Sequence, residues 1–181
     1  MTDPIIIADY DPKWPDLYQI EAARLREALG DLLVAIEHVG STSVPGLAAK
    51  PRIDIMPGLA SEEDLDRTIE PITSLGFEYI SKHEDEMPYR RLFTRNQEPG
   101  SGQIAVNIHT VAVGSEFWER HLLFRDYLRA HPDVADDYAQ LKRELAPQFI
   151  ETNDYAGAKT EFIKSIEARA SAERDTRRSY D

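Results

Sequence analysis

With 181 residues, 41% of them apolar and 30% charged, the chain suits one globular domain with one sizeable core. Its formal charge of −12 repels a phosphate backbone and excludes bulk nucleic-acid binding, though a local basic pocket for a small phosphorylated ligand stays compatible with it. The lack of cysteine excludes disulfides, thiolate metal sites and cysteine nucleophiles, and no apolar run approaches the roughly 20 residues that span a bilayer.

The N-terminus has no basic segment ahead of its short Ile5-Ile6-Ile7 run, so no signal peptide and no membrane partner are expected, and a cytoplasmic location is the default. Residues 5–7 are expected as an edge strand or an extended arm. Asp11-Pro12 signals a helix start, with the aspartate as cap and the proline in the first turn. Tyr18, Ala22, Leu25 and Leu29 follow at helical spacing, and Gly30 supplies the stop. Residues 32–39 and 52–56 are apolar and β-branched enough for two strands, the second ended by Pro57-Gly58. Ser61-Glu62-Glu63-Asp64 opens a helix to Leu75, in which Pro71 predicts a kink or an early stop.

Residues 77–80 and 89–94 are expected as strands of a meander, joined by a polar loop over 81–88 and followed by a turn over 96–102. Residues 103–113 form the longest strand candidate, with Ile104, Val106 and Ile108 alternating against Ala105, Asn107 and His109. Three helices close the chain, starting near Ser115, Pro132 and Asn153. After Ala168 the sequence is charged and lacks apolar anchors, so residues 171–181 are expected to fray as a tail beyond a single domain of residues 1–170. A helix, then strands with one inserted helix, then helices predicts an α+β fold: a mixed β-sheet covered mainly on one face.

Chemistry concentrates between Ile36 and Ile55. A strand ends in Gly40, which permits a sharp turn and a close approach, and Ser41, Thr42 and Ser43 add three hydroxyl donors. Successive amides in such a turn form an anion-binding concavity. Lys50 offers a cation, and Asp54 follows on a strand between Ile53 and Ile55, where a carboxylate suits a divalent ion bridging to phosphate oxygens.

The run His38-Val39-Gly40-Ser41-Thr42-Ser43-Val44-Pro45-Gly46-Leu47, continued through Lys50-Pro51-Arg52-Ile53-Asp54-Ile55, resembles the hallmark of the GrpB family. Tyr10-Asp11-Pro12-Lys13-Trp14, Phe124-Arg125-Asp126-Tyr127-Leu128-Arg129 and Tyr155 with Lys159 resemble its other motifs. The family is similar in fold to nucleotidyltransferases of the DNA polymerase beta type. The resemblance therefore implies a Gly-Ser loop, an Asp-apolar-Asp pair on the next strand and a third carboxylate on a later one. Gly40-Ser41 and Asp54 fit that pattern, whereas Met56 occupies the second carboxylate position and Asn107-Ile108-His109 the third.

The expected assignments follow. Asp54 and His109 are catalytic candidates, and Asp54 with Asn107 and His109 would hold Mg2+ or Mn2+. Gly40, Ser41, Thr42, Ser43, Lys50, Arg91, Tyr155 and Lys159 would bind a nucleotide or phosphorylated small molecule. Strand alternation sends at most one of Arg90 and Arg91 to the ligand face, and Arg91 is assigned that place. His38 leans to a structural role, and His83, His121 and His131 to loop or helix surfaces. Three functions stay open: a metal-dependent nucleotidyltransferase in which another acid such as Glu37 completes the cage; a non-catalytic nucleotide or phosphate-ligand module; and a histidine-centred metal hydrolase using His109, His38 and Asp54. Fusion of family domains to dephospho-CoA kinase links the second to coenzyme A metabolism by association.

Overall fold

A computed structural model describes residues 5–97, 103–149 and 152–178. Helix α1 (Trp14–Leu29) starts just after Asp11, whose carboxylate accepts from the Lys13 amide at 2.9 Å. Strand β1 (Ala35–Val39) leads through the Gly40 loop to β2 (Arg52–Leu59). A 3-10 turn over Glu62–Thr68 and a short α2 (Ile69–Thr73) replace the single helix expected there, consistent with the break that Pro71 predicts. Strands β3 (Glu78–Tyr79), β4 (Arg90–Arg95) and β5 (Ala105–Ala112) complete the sheet. Helices α3 (Glu116–Ala130), α4 (Pro132–Leu145), α5 (Thr152–Ala158) and α6 (Thr160–Arg178) follow.

The sheet order is β1-β2-β5-β4-β3, with β2 and β5 parallel and every other pair antiparallel. This is the mixed α+β sheet expected. Contrary to expectation, β2 continues through Pro57-Gly58. Pairing with β5 lapses at Met56 and Pro57 and resumes at Gly58 opposite Val111, so the proline sits in a gap of the β2–β5 ladder. The expected turn over 96–102 falls largely outside the described residues.

Alternation along the strands divides the molecule. Ile53, Ile55, Phe93, Val106 and Ile108 face α1 and α2 and join Trp14, Tyr18, Leu25, Leu29 and Ile72 in the main core. Asp54, Met56, Asn107 and His109 face the other way. There α3 covers one end of the sheet, packing Phe117 and Trp118 on Met56 and Val111. A second core joins Val44, Leu47 and Ala48, from the loop after β1, to Tyr127, Leu128, Tyr138 and Ile166 of the C-terminal helices. The helical third therefore clamps the loop that the sequence singles out. The tail expected to fray is helical as far as Arg178, because Ala170 continues the apolar face of Ile166 by one turn and is itself buried. Among the described residues no helix is long and apolar enough to cross a membrane.

Candidate functional site

The loop after β1 is a self-bonded turn. Ser43 Oγ donates to Gly40 O at 2.6 Å, and the Ser43 and Val44 amides close onto the carbonyls of Gly40 and Ser41. Thr42 Oγ1 donates to Arg52 O at 3.1 Å, so it accepts from His38 Nε2 at 3.0 Å, which fixes the His38 tautomer as Nε2–H. Burial, reinforced by Arg129 and Arg125, lowers the His38 pKa to about 4 and keeps the ring neutral. Thr42 and Ser43 thus spend their hydroxyl protons on backbone carbonyls, and Ser41 lines the cleft with its hydroxyl bonded to Tyr138 and Lys142. Helix α3 braces the loop from outside: Arg129 donates twice to Ser43 O, and Arg125 reaches His38 O at 3.0 Å and Glu37 at 2.6 Å. Arg125→Met should cost about 2 kcal/mol in urea unfolding, since it strips charged donors from a half-buried carbonyl and carboxylate.

Asp54 occupies the cleft floor. Its Oδ1 accepts from Asn107 Nδ2 at 3.0 Å and lies 3.5 Å from His109 Nε2. Burial pushes the carboxyl up, but the hydrogen bonds from His109 and Asn107 and the charge of Arg52 outweigh it and hold Asp54 below the usual carboxylate range. Arg90 lies 3.2 Å from His109 Nδ1. An arginine only donates, so Nδ1 accepts and the ring proton sits on Nε2, toward Asp54. His109 therefore orients Asp54, and in this state neither nitrogen is free to serve as base or ligand. Asn107 is wired similarly: its oxygen accepts from Arg52 at 2.8 Å and from Thr94 at 3.2 Å, leaving the amide group toward Asp54.

Asp54, Asn107 and His109 do come together, but bonded to one another, and no second carboxylate joins them. Met56 is fully buried in the apolar cluster under Phe117 and Trp118, so its place could not present a carboxylate to the cleft. Glu37 does not supply the missing acid, because it pairs opposite Met56 and Arg125 holds its carboxylate. Among the described residues no group of three or more histidine and acidic side chains could hold a metal ion. The residues do not fit a two-ion carboxylate cage.

What does assemble is a cleft of about 470 Å³. Ser41, Thr42, Lys50, Asp54 and Asn107 line it from the sheet side, and Tyr155 and Lys159 from the C-terminal helices. Gly40 lies beneath Asp54, Ser43 is turned into the loop and His109 sits behind the carboxylate. Arg91 is on the opposite sheet face, bound to Asp66 at 2.7 Å, and Arg90 is the member of the pair on the site side. His121 is no surface residue: it stacks on Phe117 at 3.9 Å and donates from Nδ1 to Phe117 O.

Sequence reasoning missed Arg52, Lys82 and Lys142. Arg52 spans Asn107, Thr94 and Asn96 along the cleft wall. Lys142 lies on α4 with only 2% exposure, its Nζ donating to Ser41 Oγ at 3.0 Å and to Ala48 O. The available signal was its spacing: Val134, Ala135, Tyr138 and Ala139 form the buried stripe of α4, and Lys142 continues it. Burial, together with Lys50, lowers Lys159 to about 8, and its amine sits 4.1 Å above the Tyr155 ring. The helix expected to carry both residues breaks at Lys159, between α5 and α6. Lys50, Arg52, Lys82, Lys142 and Lys159 thus line the cleft, and among the described residues Asp54 is the one carboxylate in that lining.

Fold and site together define an α+β protein built around a cationic cleft beside a Gly-Ser loop. The chain belongs to the GrpB family: the GrpB protein family matches residues 4–169. It is 40% identical to UPF0157 protein YqkA of Bacillus subtilis over 89% of its own length and 46% of that protein. The crystal structure of the conserved protein GrpB from Enterococcus faecalis matches with a TM-score of 0.80 at 33% identity, over 93% of this chain and 98% of that one. A dephospho-CoA kinase of Mycolicibacterium paratuberculosis is 30% identical over 77% of this chain and 39% of the kinase. The chain therefore spans less than half of YqkA and of the kinase.

Proposed function

We propose that the cleft binds a small phosphorylated ligand, a nucleotide or a nucleotide-containing cofactor, through side-chain cations and without a metal cage. The observation that carries this reading is charge: a protein of net −12 gathers five basic side chains around one cleft, and among the described residues Asp54 is the one carboxylate that lines it. Desolvated cations with hydroxyl and amide groups between them match phosphate oxygens. The likeness to a dephospho-CoA kinase supports including coenzyme A among the candidates.

The test is a thermal-shift panel of nucleoside phosphates and coenzyme A with chelator present. A ligand at about 100 times its Kd adds about 2.7 kcal/mol, a rise of roughly 5–10 °C for a domain of this size. No shift from any member would overturn the proposal. Lys159→Met should weaken the best ligand by about tenfold or more, the loss of one charge-assisted contact.

Asp54 separates this reading from nucleotidyl transfer with Mg2+ or Mn2+, the function that the family's fold resemblance suggests. In a metal-free cleft Asp54 opposes the ligand. A carboxylate about 6 Å from a phosphate charge at an effective dielectric near 20 costs about 3 kcal/mol before screening. Asp54→Asn should therefore tighten binding by about tenfold. Turnover of a nucleoside triphosphate in magnesium or manganese that Asp54→Asn abolishes would replace the binding reading with the enzymatic one.

A further inference from the structure

Lys142 is a buried amine whose hydrogen-bond partners include no carboxylate. Its partners are the Ser41 hydroxyl, the Ala48 carbonyl and the Tyr138 ring 4.5 Å away. Lys159 and Arg143 push against it, Lys50 lies across the cleft, and Tyr155 contributes a buried hydroxyl with no hydrogen-bond partner. Among the described residues Asp54, on the floor, is the one carboxylate lining the cleft, and it is already committed to Asn107 and His109. A neutral amine carries two N–H groups and one lone pair, an ammonium three N–H groups. The two contacts to the loop are both donations. The neutral form satisfies both and keeps one lone pair, and Lys142 is among the residues that line the cleft.

Resting on the reading of the cleft as a phosphate site, we infer that Lys142 binds its ligand as a proton-coupled switch: the neutral amine takes up a proton when a phosphate dianion enters and donates the new N–H to it. Atoms and charge balance without a further reactant, since a solvent proton joins the lone pair and the ammonium neutralises one phosphate charge. Burial, with Lys159 and Arg143, already lowers the pKa of the unliganded amine to about 7. The sign follows. Above that value the empty cleft holds a neutral Lys142, a ligand must recruit a proton, and affinity falls by up to about tenfold per pH unit. Below it Lys142 is already charged and affinity levels off, until the phosphate itself protonates near a pKa of about 6.

Titration calorimetry of the full chain with ADP, in chelator at about pH 8, tests this in two buffers of different ionisation heat. The terminal phosphate is a dianion there, so any proton taken up belongs to the protein. The expected result is uptake approaching one proton or more per ADP, with Lys142→Met losing most of one proton. Buffer-independent heat for ADP that does bind would overturn the switch and leave the cleft assignment standing. Unchanged uptake in a Lys142→Met protein that melts cooperatively would also overturn it. Absence of ADP binding at every pH, together with no thermal shift from any member of the ligand panel, would overturn both readings. Should Lys142→Met fail to fold, the wild-type buffer comparison decides alone.

Discussion

Acidification from about pH 7.5 to pH 5 is expected to remove about 4 kcal/mol of folding stability, through two histidines that the fold holds neutral. Burial lowers His38 to about 4, aided by Arg129 and Arg125 and opposed by Asp54. Burial lowers His121 to about 4 as well, with His109 and Arg120 adding to the effect and the Phe117 carbonyl opposing it. An unfolded histidine binds its proton near 6.5, so between that pH and about 4 the unfolded chain holds more protons than the folded one. The histidines' contribution is therefore full above pH 6.5 and falls through that window, by about 2 kcal/mol per histidine at pH 5. Asp54 adds nothing there, because its lowered carboxyl keeps its contribution until the pH drops below the unfolded carboxylate value. Urea unfolding at the two pH values measures the loss, and His38→Gln or His121→Gln should each remove about half of it. A slope unchanged in both variants would show that these rings are not the groups responsible.

The acid response also shows what was legible in the sequence. His38 follows β1 by strand alternation, and the lean toward a structural role agrees with its bond to Thr42. His121 looks like a helix-surface residue in sequence because α3 packs on Met56 and Val111, a contact between segments far apart in the chain. The same limit governs the site. Local signals place Gly40, Ser41, Lys50 and Asp54 together, since one turn between adjacent strands brings them close. Asn107 joins Asp54 through the parallel pairing of β2 with β5, which alternation alone does not specify. Lys142 and Lys159 arrive from the C-terminal helices, and no spacing in the sequence tells which cations will meet the loop. Arg91 fails because alternation limits the pair to one residue per face without saying which, and the register puts Leu92 opposite His109 and Thr94 opposite Asn107. The second carboxylate is missing for a reason visible beforehand, since Met56 stands in its place, and the structure adds that the place is dry.

Gly40→Ala is expected to destabilise the fold by about 3 kcal/mol, by two separable routes. The residue sits at φ 72° and ψ −178°, a region open essentially to glycine and worth about 1–3 kcal/mol to any other residue. Independently, a β-carbon there would fall 2.5 Å from Asp54 Oδ2 and 3.2 Å from its Cβ and Cγ. The sequence explains Gly40 by the approach of a ligand, yet the group that approaches is the protein's own carboxylate. A double-mutant cycle separates the routes. In an Asp54→Ala background the contact with Oδ2 is gone while the backbone cost persists, so Gly40→Ala should cost about 1–2 kcal/mol less than in wild type. Equal costs in both backgrounds would mean that Asp54 yields without penalty and backbone conformation alone demands the glycine. A neutral effect in both would deny the conformation itself. The coupling matters for function because Asp54 reaches its place under the cleft only where residue 40 lacks a side chain. A glycine in the loop and an aspartate on the next strand are thus one structural requirement, and Gly40→Ala should change ligand affinity through the position of Asp54 even where the loop still folds.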